Sequence, residues 1–263
     1  MPQPDIKIDN CSFPSDCLYD LENLTWIRFL ENNEFEDKNK GELERMDDQN
    51  KYSPKFIIGM TPIYSYLAGK LTGLKLKGIN TPIKKNKSVA SISSITHFGT
   101  VRSPMAGRII DINNDLIKCP KIANDSPFEK GWFAKIETEN EIAESSRKDL
   151  KRIEDCKDDL EEQIKRYNVK CFKVFPDYQM FELGTECSAT LAKLGEFMGK
   201  SMLEGDVIRL VSDDPTADLE LLNWAERNSQ EIIEIVKEKN PVAINNQANS
   251  LLFNIIIKKK SDQ

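Results

Sequence analysis

Cys187, in the stretch FELGTECSATLAKLGEF, is set where a cysteine could do chemistry. Thr185 is placed to cap the helix that follows, putting the thiol in its first turn, where unpaired amides and the positive end of the dipole stabilise a thiolate. Such a thiolate would be a nucleophile. The same residue lies four positions before Leu191 on the apolar stripe of that helix, so a buried structural thiol is the competing reading. Of the other cysteines, Cys11, Cys17, Cys119, Cys156 and Cys171, none belongs to a CxxC pair. With His97 the single histidine, there is no His/Cys metal spacing, and no metal site is expected. Cys156 and Cys171 read as structural or surface thiols of a reducing compartment. His97 has no nucleophile or carboxylate beside it and reads as an exposed polar residue at a turn. Ser212-Asp213-Asp214-Pro215 has the form of a helix entrance, with proline at the first helical position and carboxylates against the dipole, rather than a two-carboxylate metal site.

The elements that must position these residues follow from periodicity. From Tyr178 onward the pattern reads strand, cysteine turn, helix, strand, acidic turn, helix. Leu191, Leu194 and Met198 share one helical face, and Ala217, Leu221, Trp224 and Ala225 share another. VIRLV, EIIEIV and LLFNIII add apolar, β-branched strands, with KNPVAINNQANS as the loop between the last two. The order is β-α-β-α-β-β, which predicts a two-layer α+β sandwich with both helices on one face of a four-stranded sheet. Upstream, Glu139 to Arg166 carries 17 charges in 28 residues without Gly or Pro, and predicts one long solvated connector helix supported by i,i+4 pairs such as Glu161 with Lys165. Before that helix, VASISSITHF alternates at period two and RSPMAGRI reads as a tight turn, so this part is strand-rich and carries an exposed hairpin.

Composition limits the function. At 263 residues with a net charge of −6, the chain is long enough for two small cores and offers no electrostatic footprint for a phosphate backbone, so no nucleic-acid partner is expected. The start lacks a basic, apolar leader and no run approaches a membrane span, which predicts a cytoplasmic protein with no membrane partner. The organisation expected is a tail at 1–16, a first domain at 17–138, the charged helix at 139–168 and a second domain at 169–263.

Three blocks of the first domain resemble the glycine cleavage system H-protein, a relative of lipoyl domains. They are Tyr19, Trp26 and Arg28; then Gly59, Thr61, Tyr66 and Gly69; then Ser103, Pro104, Gly107, Asn113, Leu116, Pro120, Asn124, Pro127, Gly131, Trp132 and Lys135. The resemblance spans about Cys17 to Thr138, interrupted by the polar insertion NNEFEDKNKGELERMDDQNKYSP, and implies an all-β barrel-sandwich hybrid with a protruding hairpin. That family carries lipoate on a lysine at the hairpin. Counting without gaps from Gly69 to Pro104 places Thr96 at that position, so lipoate is not expected, and Ser93 replaces the acidic residue before it. Lys84, Lys85 and Lys87 belong to the preceding turn. The second domain resembles the TusA/SirA sulfurtransferases through Leu183-Gly184, Cys187, Glu204-Gly205-Asp206, Asp213-Asp214-Pro215 and Trp224, although Ser188 and Thr190 replace the two prolines of that family's CPxP turn. This implies Cys187 as the persulfide residue, with no other cofactor. The combined expectation is a sulfur carrier with donor and acceptor proteins, its first domain docking a lipoate-handling or thiol-redox partner. A non-catalytic adaptor and a glycine cleavage H-protein-type carrier are the alternatives.

Overall fold

The computed structural model describes residues 5–30, 53–239 and 251–261. Most of the polar insertion and the loop between the last two strands lie outside them. The chain divides into two units, Met1–Cys171 and Phe172–Gln263.

The first unit contains strands β1 (Ile6–Ile8), β2 (Cys11–Phe13), β3 (Leu18–Asp20), β4 (Thr25–Phe29) and β5 (Lys55–Met60), then helix α1 (Pro62–Ala68). Strands β6 (Gly73–Leu76), β7 (Pro82–Ile83), β8 (Lys87–Ser93), β9 (Phe98–Ser103) and β10 (Gly107–Ile112) follow. Helices α2 (Asn114–Lys118) and α3 (Ile122–Asp125), strand β11 (Ala134–Glu137), and helices α4 (Asn140–Ser146) and α5 (Ile153–Arg166) complete it. An antiparallel six-stranded sheet in the order β3-β4-β5-β11-β10-β7 and a three-stranded sheet β6-β8-β9 share one core. Phe56, Ile58 and Ile136 from the first sheet meet Val89, Ile92 and Val101 from the second.

Three expectations are corrected here. Among the described residues no ladder joins the two sheets, so no closed barrel is found, and five helices make the unit α+β rather than all-β. The described part of the expected tail, residues 5–16, is folded: β1 and β2 form a hairpin whose Ile8, Cys11 and Phe13 are buried. The segment at 139–168 is neither one helix nor a connector. Tyr19 and Lys151 exchange backbone hydrogen bonds of 2.8 and 3.1 Å, which pulls Lys151 into extended backbone and breaks the helical run between α4 and α5. The narrow stripe of α5, Ile153, Cys156, Leu160 and Ile164, is buried in a second core with Tyr19, Trp26 and Phe128. At roughly 1.5–3 kcal/mol for a fully buried large apolar side chain, that stripe outweighs the few tenths from an exposed pair such as Glu161 with Lys165.

The second unit contains β12 (Tyr178–Glu182), α6 (Cys187–Ser201), β13 (Val207–Ser212), α7 (Ala217–Arg227), β14 (Glu231–Lys239) and β15 (Leu251–Lys258), in the order β-α-β-α-β-β. The sheet runs β12-β13-β15-β14, with β12 and β13 parallel and the other pairs antiparallel. Leu194 and Met198 of α6 and Ala217 and Leu221 of α7 pack on Ile208, Leu210, Phe253, Ile255 and Ile257, so both helices cover one face. On the other face Arg209 is buried and its Nε and Nη2 donate to Asn254 Oδ1 at 2.9 and 2.6 Å. Among the described residues no helix is long and apolar enough to cross a membrane.

Because α5 belongs to the first core, a chain cut between Cys171 and Phe172 should give two fragments that each melt cooperatively, whereas a cut inside α5 should leave no cooperative first unit. Leu160→Ala should cost that unit about 2–5 kcal/mol in denaturant unfolding. Wild-type stability in the Leu160 variant would show that α5 is an ornament on the core.

Candidate functional site: the β8–β9 hairpin tip and the head of α6

The tip of the β8–β9 hairpin is built by the small residues that precede it. Ser94 N–H donates to the His97 carbonyl at 2.8 Å, and Ser94 Oγ accepts from the amides of Thr96 and His97 at 3.2 and 3.0 Å. This closes a four-residue turn on which Ile95 and Thr96 stand exposed, Ile95 at 94%. Phe98, the next residue, is 77% exposed. His97 turns back instead: its ring lies edge-on to Tyr64 at 6.0 Å, and Tyr64 Oη donates to the Thr100 carbonyl at 3.2 Å. A Cβ on Gly99 would sit 2.4 Å from His97 Nε2 and 2.6 Å from Tyr64 Oη, so glycine is what admits both rings. His97 Nε2 is buried and makes no hydrogen bond to the described residues. The sequence reading of His97 as simply exposed is corrected by this packing.

Beneath the tip, residues of the recurring motif do structural work. Asn124 Oδ1 accepts from the Leu71 amide at 2.9 Å, and its Nδ2 donates to Ser65 Oγ and the Gly69 carbonyl at 2.9 and 3.0 Å. Gly69, at φ 73°, ends α1 beside the tip, where a Cβ would lie 3.9 Å from Thr96 Oγ1. Trp26 packs across Gly59, its strand partner, and Nε1 donates to the Met60 carbonyl at 3.1 Å. Lys87 opens β8, whose seven residues put it about 20 Å from the turn at roughly 3.3 Å per residue. Lys85 pairs with Asp149 at 2.5 Å. Residues 88–101 contain no lysine.

At the head of α6 the geometry differs from expectation. Thr185 is not the cap: Glu186 holds the N-cap position without a side-chain bond, and Asp214 Oδ2 accepts the Cys187 amide at 2.9 Å. Asp214 Oδ1 accepts from the Thr216 amide at 2.8 Å, and Asp213 Oδ1 accepts from the Gly184 amide at 2.8 Å. The two carboxylates therefore stitch the turn before α6 to the turn before α7. Hydrogen bonds from Thr216, and then from the Cys187 amide, make Asp214 more acidic than usual. The entrance to α7 falls at Thr216 rather than at Pro215, because Asp214 closes its own turn around Pro215. Cys187 itself is 4% exposed. Burial, then its hydrogen bond to Glu220 and that carboxylate's charge, push the thiol up to about 12. At the helix start the Cys187 amide is already taken by Asp214, and burial, then Glu220, favours the thiol over the thiolate. Glu220 was missed from sequence, although its place one turn after Thr216, in the helix entered from the neighbouring strand, was a signal. Among the described residues no group of three or more His, Cys, Asp or Glu is arranged to hold a metal ion.

The cysteine reading also changes. Cys11 and Cys171 are joined in a disulfide, while Cys17 and Cys156 are buried free thiols and Cys119 is exposed. Burial raises both Cys17 and Cys156, the latter to about 12.

Comparison with known proteins agrees with the motif of the first unit. The profile described as glycine cleavage H-protein matches residues 42–163, within the first unit. The chain is 29% identical over 161 residues to glycine cleavage system H protein 2 of Aquifex aeolicus, covering 61% of this chain and 86% of that one. It is 30% identical over 136 residues to the probable glycine cleavage system H protein 2 of Sulfurisphaera tokodaii, covering 51% and 78%. With H protein 5 of Aquifex aeolicus the identity is 35% over 117 residues, covering 44% and 77%. The chain belongs to the glycine cleavage H-protein family.

The thiol's setting predicts its pH profile. Alkylation of Cys187 should be slow at pH 7 and climb about tenfold per pH unit through pH 10 without a plateau, since rate follows thiolate. Because burial in the fold raises this pKa above that of the unfolded chain, its contribution to stability is full at neutral pH and declines as pH rises past about 9 toward 12. Glu220→Gln should move the alkylation curve to lower pH. A plateau near neutrality in the unaltered protein would contradict the assignment.

Proposed function

We propose that this chain is an H-protein-type adaptor without a covalent arm, docking partners through its β8–β9 hairpin rather than carrying a lipoyl group between them. The observation that supports it is Thr96 at the exposed turn. A hydroxyl cannot form the amide through which a lysine holds lipoate, and no lysine lies in residues 88–101. The tip presents Ile95 and Phe98, two apolar side chains held by a packed His97–Tyr64 base, which suits insertion into a partner's apolar pocket. The partners proposed are proteins that handle lipoate or thiol redox chemistry, since a family surface that keeps its docking hairpin while losing its arm is best suited to proteins that recognise that hairpin. The second unit adds a separate α+β module.

Persulfide relay at Cys187 is the second reading. The β-α-β-α-β-β order, the parallel first pair of strands and the cysteine at the first position of α6 favour it, in keeping with the TusA/SirA resemblance. Burial and Glu220 oppose it, because both hold the thiol protonated and out of reach.

Two experiments separate these readings. Co-expressed with a lipoate ligase and free lipoate, the protein should keep its unmodified intact mass, and a stoichiometric lipoyl adduct would overturn the adaptor reading. Incubated with a cysteine desulfurase and cysteine, it should gain no reductant-labile sulfur on Cys187. Loading that disappears in Cys187→Ser would establish the relay instead.

A further inference from the structure

Residues 53–110 contain nine lysines and arginines and no aspartate or glutamate, in a chain whose net charge is −6. That run builds the sheet β6-β8-β9 and its hairpin tip, so the imbalance falls on one element. Side chains alternate across a strand. Leu74, Leu76, Ile92 and Val101 belong to the sandwich core, so Lys75, Ser91, Thr100 and Arg102 take the outer face. The register sets them in rows: Gly73, Ser93 and Phe98 nearest the turn, then Lys75, Ser91 and Thr100, with Arg102 opposite Ser88 beyond them. Lys77 continues the ladder, its amide donating to the Val89 carbonyl at 2.9 Å, and its side chain is exposed. Lys84 and Lys87 are exposed at the end far from the turn. Among the described residues no carboxylate pairs with Lys75, Lys77, Lys84, Lys87 or Arg102, whereas the neighbouring Lys85 has Asp149.

We propose that the outer face of β6-β8-β9 binds an acidic segment of a protein partner, laid along the strands from Phe98 toward Lys87. The inference rests on the docking reading of the hairpin and adds what the partner must carry: carboxylates beside the apolar pocket that receives the tip. Phe98 shares this face, and Thr100 and Arg102 stand about 7 and 13 Å from it along the strand. An extended segment advances at the same rise. With an apolar residue on Phe98, its carboxylates on alternate residues reach Lys75 and then Lys77 and Arg102. Arg102 Nε donates to Thr100 Oγ1 at 3.4 Å, which holds the guanidinium against the face. Ser91, Ser93 and Thr100 between the cations are short, so a backbone can approach closely. The apolar tip supplies the anchor, and the cations supply steering and register. A bilayer is a poorer match: met end-on by Ile95 and Phe98, it would leave Lys77 and Arg102 beyond the screening length of about 8 Å at physiological salt. So is a long polyanion, because the acidic remainder of the chain repels whatever extends past the patch.

The test titrates the full chain, isotopically labelled for NMR, with a synthetic peptide of alternating glutamate and threonine closed by leucines, and with the same peptide carrying glutamine for glutamate. Amide shifts should concentrate on residues 73–77, 88–93 and 98–102 with the glutamate peptide and vanish with the glutamine one. Lys75→Glu with Arg102→Glu should weaken binding about tenfold or more. Arg152→Glu with Lys157→Glu, an equal change of charge at exposed residues near the start of α5, should leave it nearly unchanged. A leucine-free peptide that binds as well, with no loss in Ile95→Ser with Phe98→Ser, would support the acidic ligand while removing the hairpin docking reading. Binding that needs Ile95 and Phe98 but survives the Lys75 and Arg102 reversal would overturn this inference and keep the docking reading. No shifts on that face, equal losses in both reversals, or tighter binding to phosphatidylserine vesicles or duplex DNA than to the peptide would also overturn it.

Discussion

Much of the first unit depends on the contact of Trp26 with Gly59. The indole lies where a Cβ on Gly59 would stand, 2.4 Å from its ring carbons, so the tryptophan can lie flat on β5 only because its partner has no side chain. That contact lets β4 be buried on both faces. Ile27 looks into the sandwich between the two sheets, while Trp26 looks outward into a second core made with Tyr19, Phe128 and the stripe of α5. Any side chain at Gly59 would displace the indole and with it the surface on which α5 and the β1–β2 hairpin pack.

This two-sided wall explains why a highly charged segment is integral to the fold. The stripe of α5 is narrow, four buried residues on a helix otherwise in water, yet it covers an aromatic surface that the sheet cannot leave exposed. The disulfide then ties the end of that helical stretch to β2. In the chain-entropy account, closing a loop of this length stabilises by about 5 kcal/mol, which is large against an ordinary net stability of 5–15 kcal/mol. With the outer core and its clamp in place, the sandwich core needs only to hold the hairpin rigid, and Asn124, Gly69 and Gly99 set the level at which its turn stands.

Local signals were the legible ones. Period-two alternation marked β8 but ran it on to Phe98, through the turn at residues 94–97 that ends it, and the turn at Pro104 to Gly107, expected to be exposed, separates β9 from β10 with Pro104 and Met105 buried; the two amphipathic stripes of the second unit predicted which residues of α6 and α7 face the sheet. The ungapped count to Thr96 reached the hairpin turn. What could not be read depended on distant partners. The break before α5 is made by Tyr19, more than a hundred residues away, and the disulfide joins cysteines whose spacing carries no pattern. Cys187 was legible as a residue at a helix start, whereas its burial, and the Glu220 and Asp214 carboxylates that reach it from the neighbouring helix and turn, were not.

The central claim is that the hairpin turn holds no covalent cargo and acts by its own surface. Trypsin releases that turn as one peptide, Ser88 to Arg102, bounded by Lys87 and Arg102. The most direct measurement is peptide-level mass spectrometry of the chain purified from its native cells, covering this peptide and every lysine. The account predicts the unmodified mass for Ser88 to Arg102 and no lipoyl group at any position. A lipoyl mass on a lysine of the native protein would contradict it.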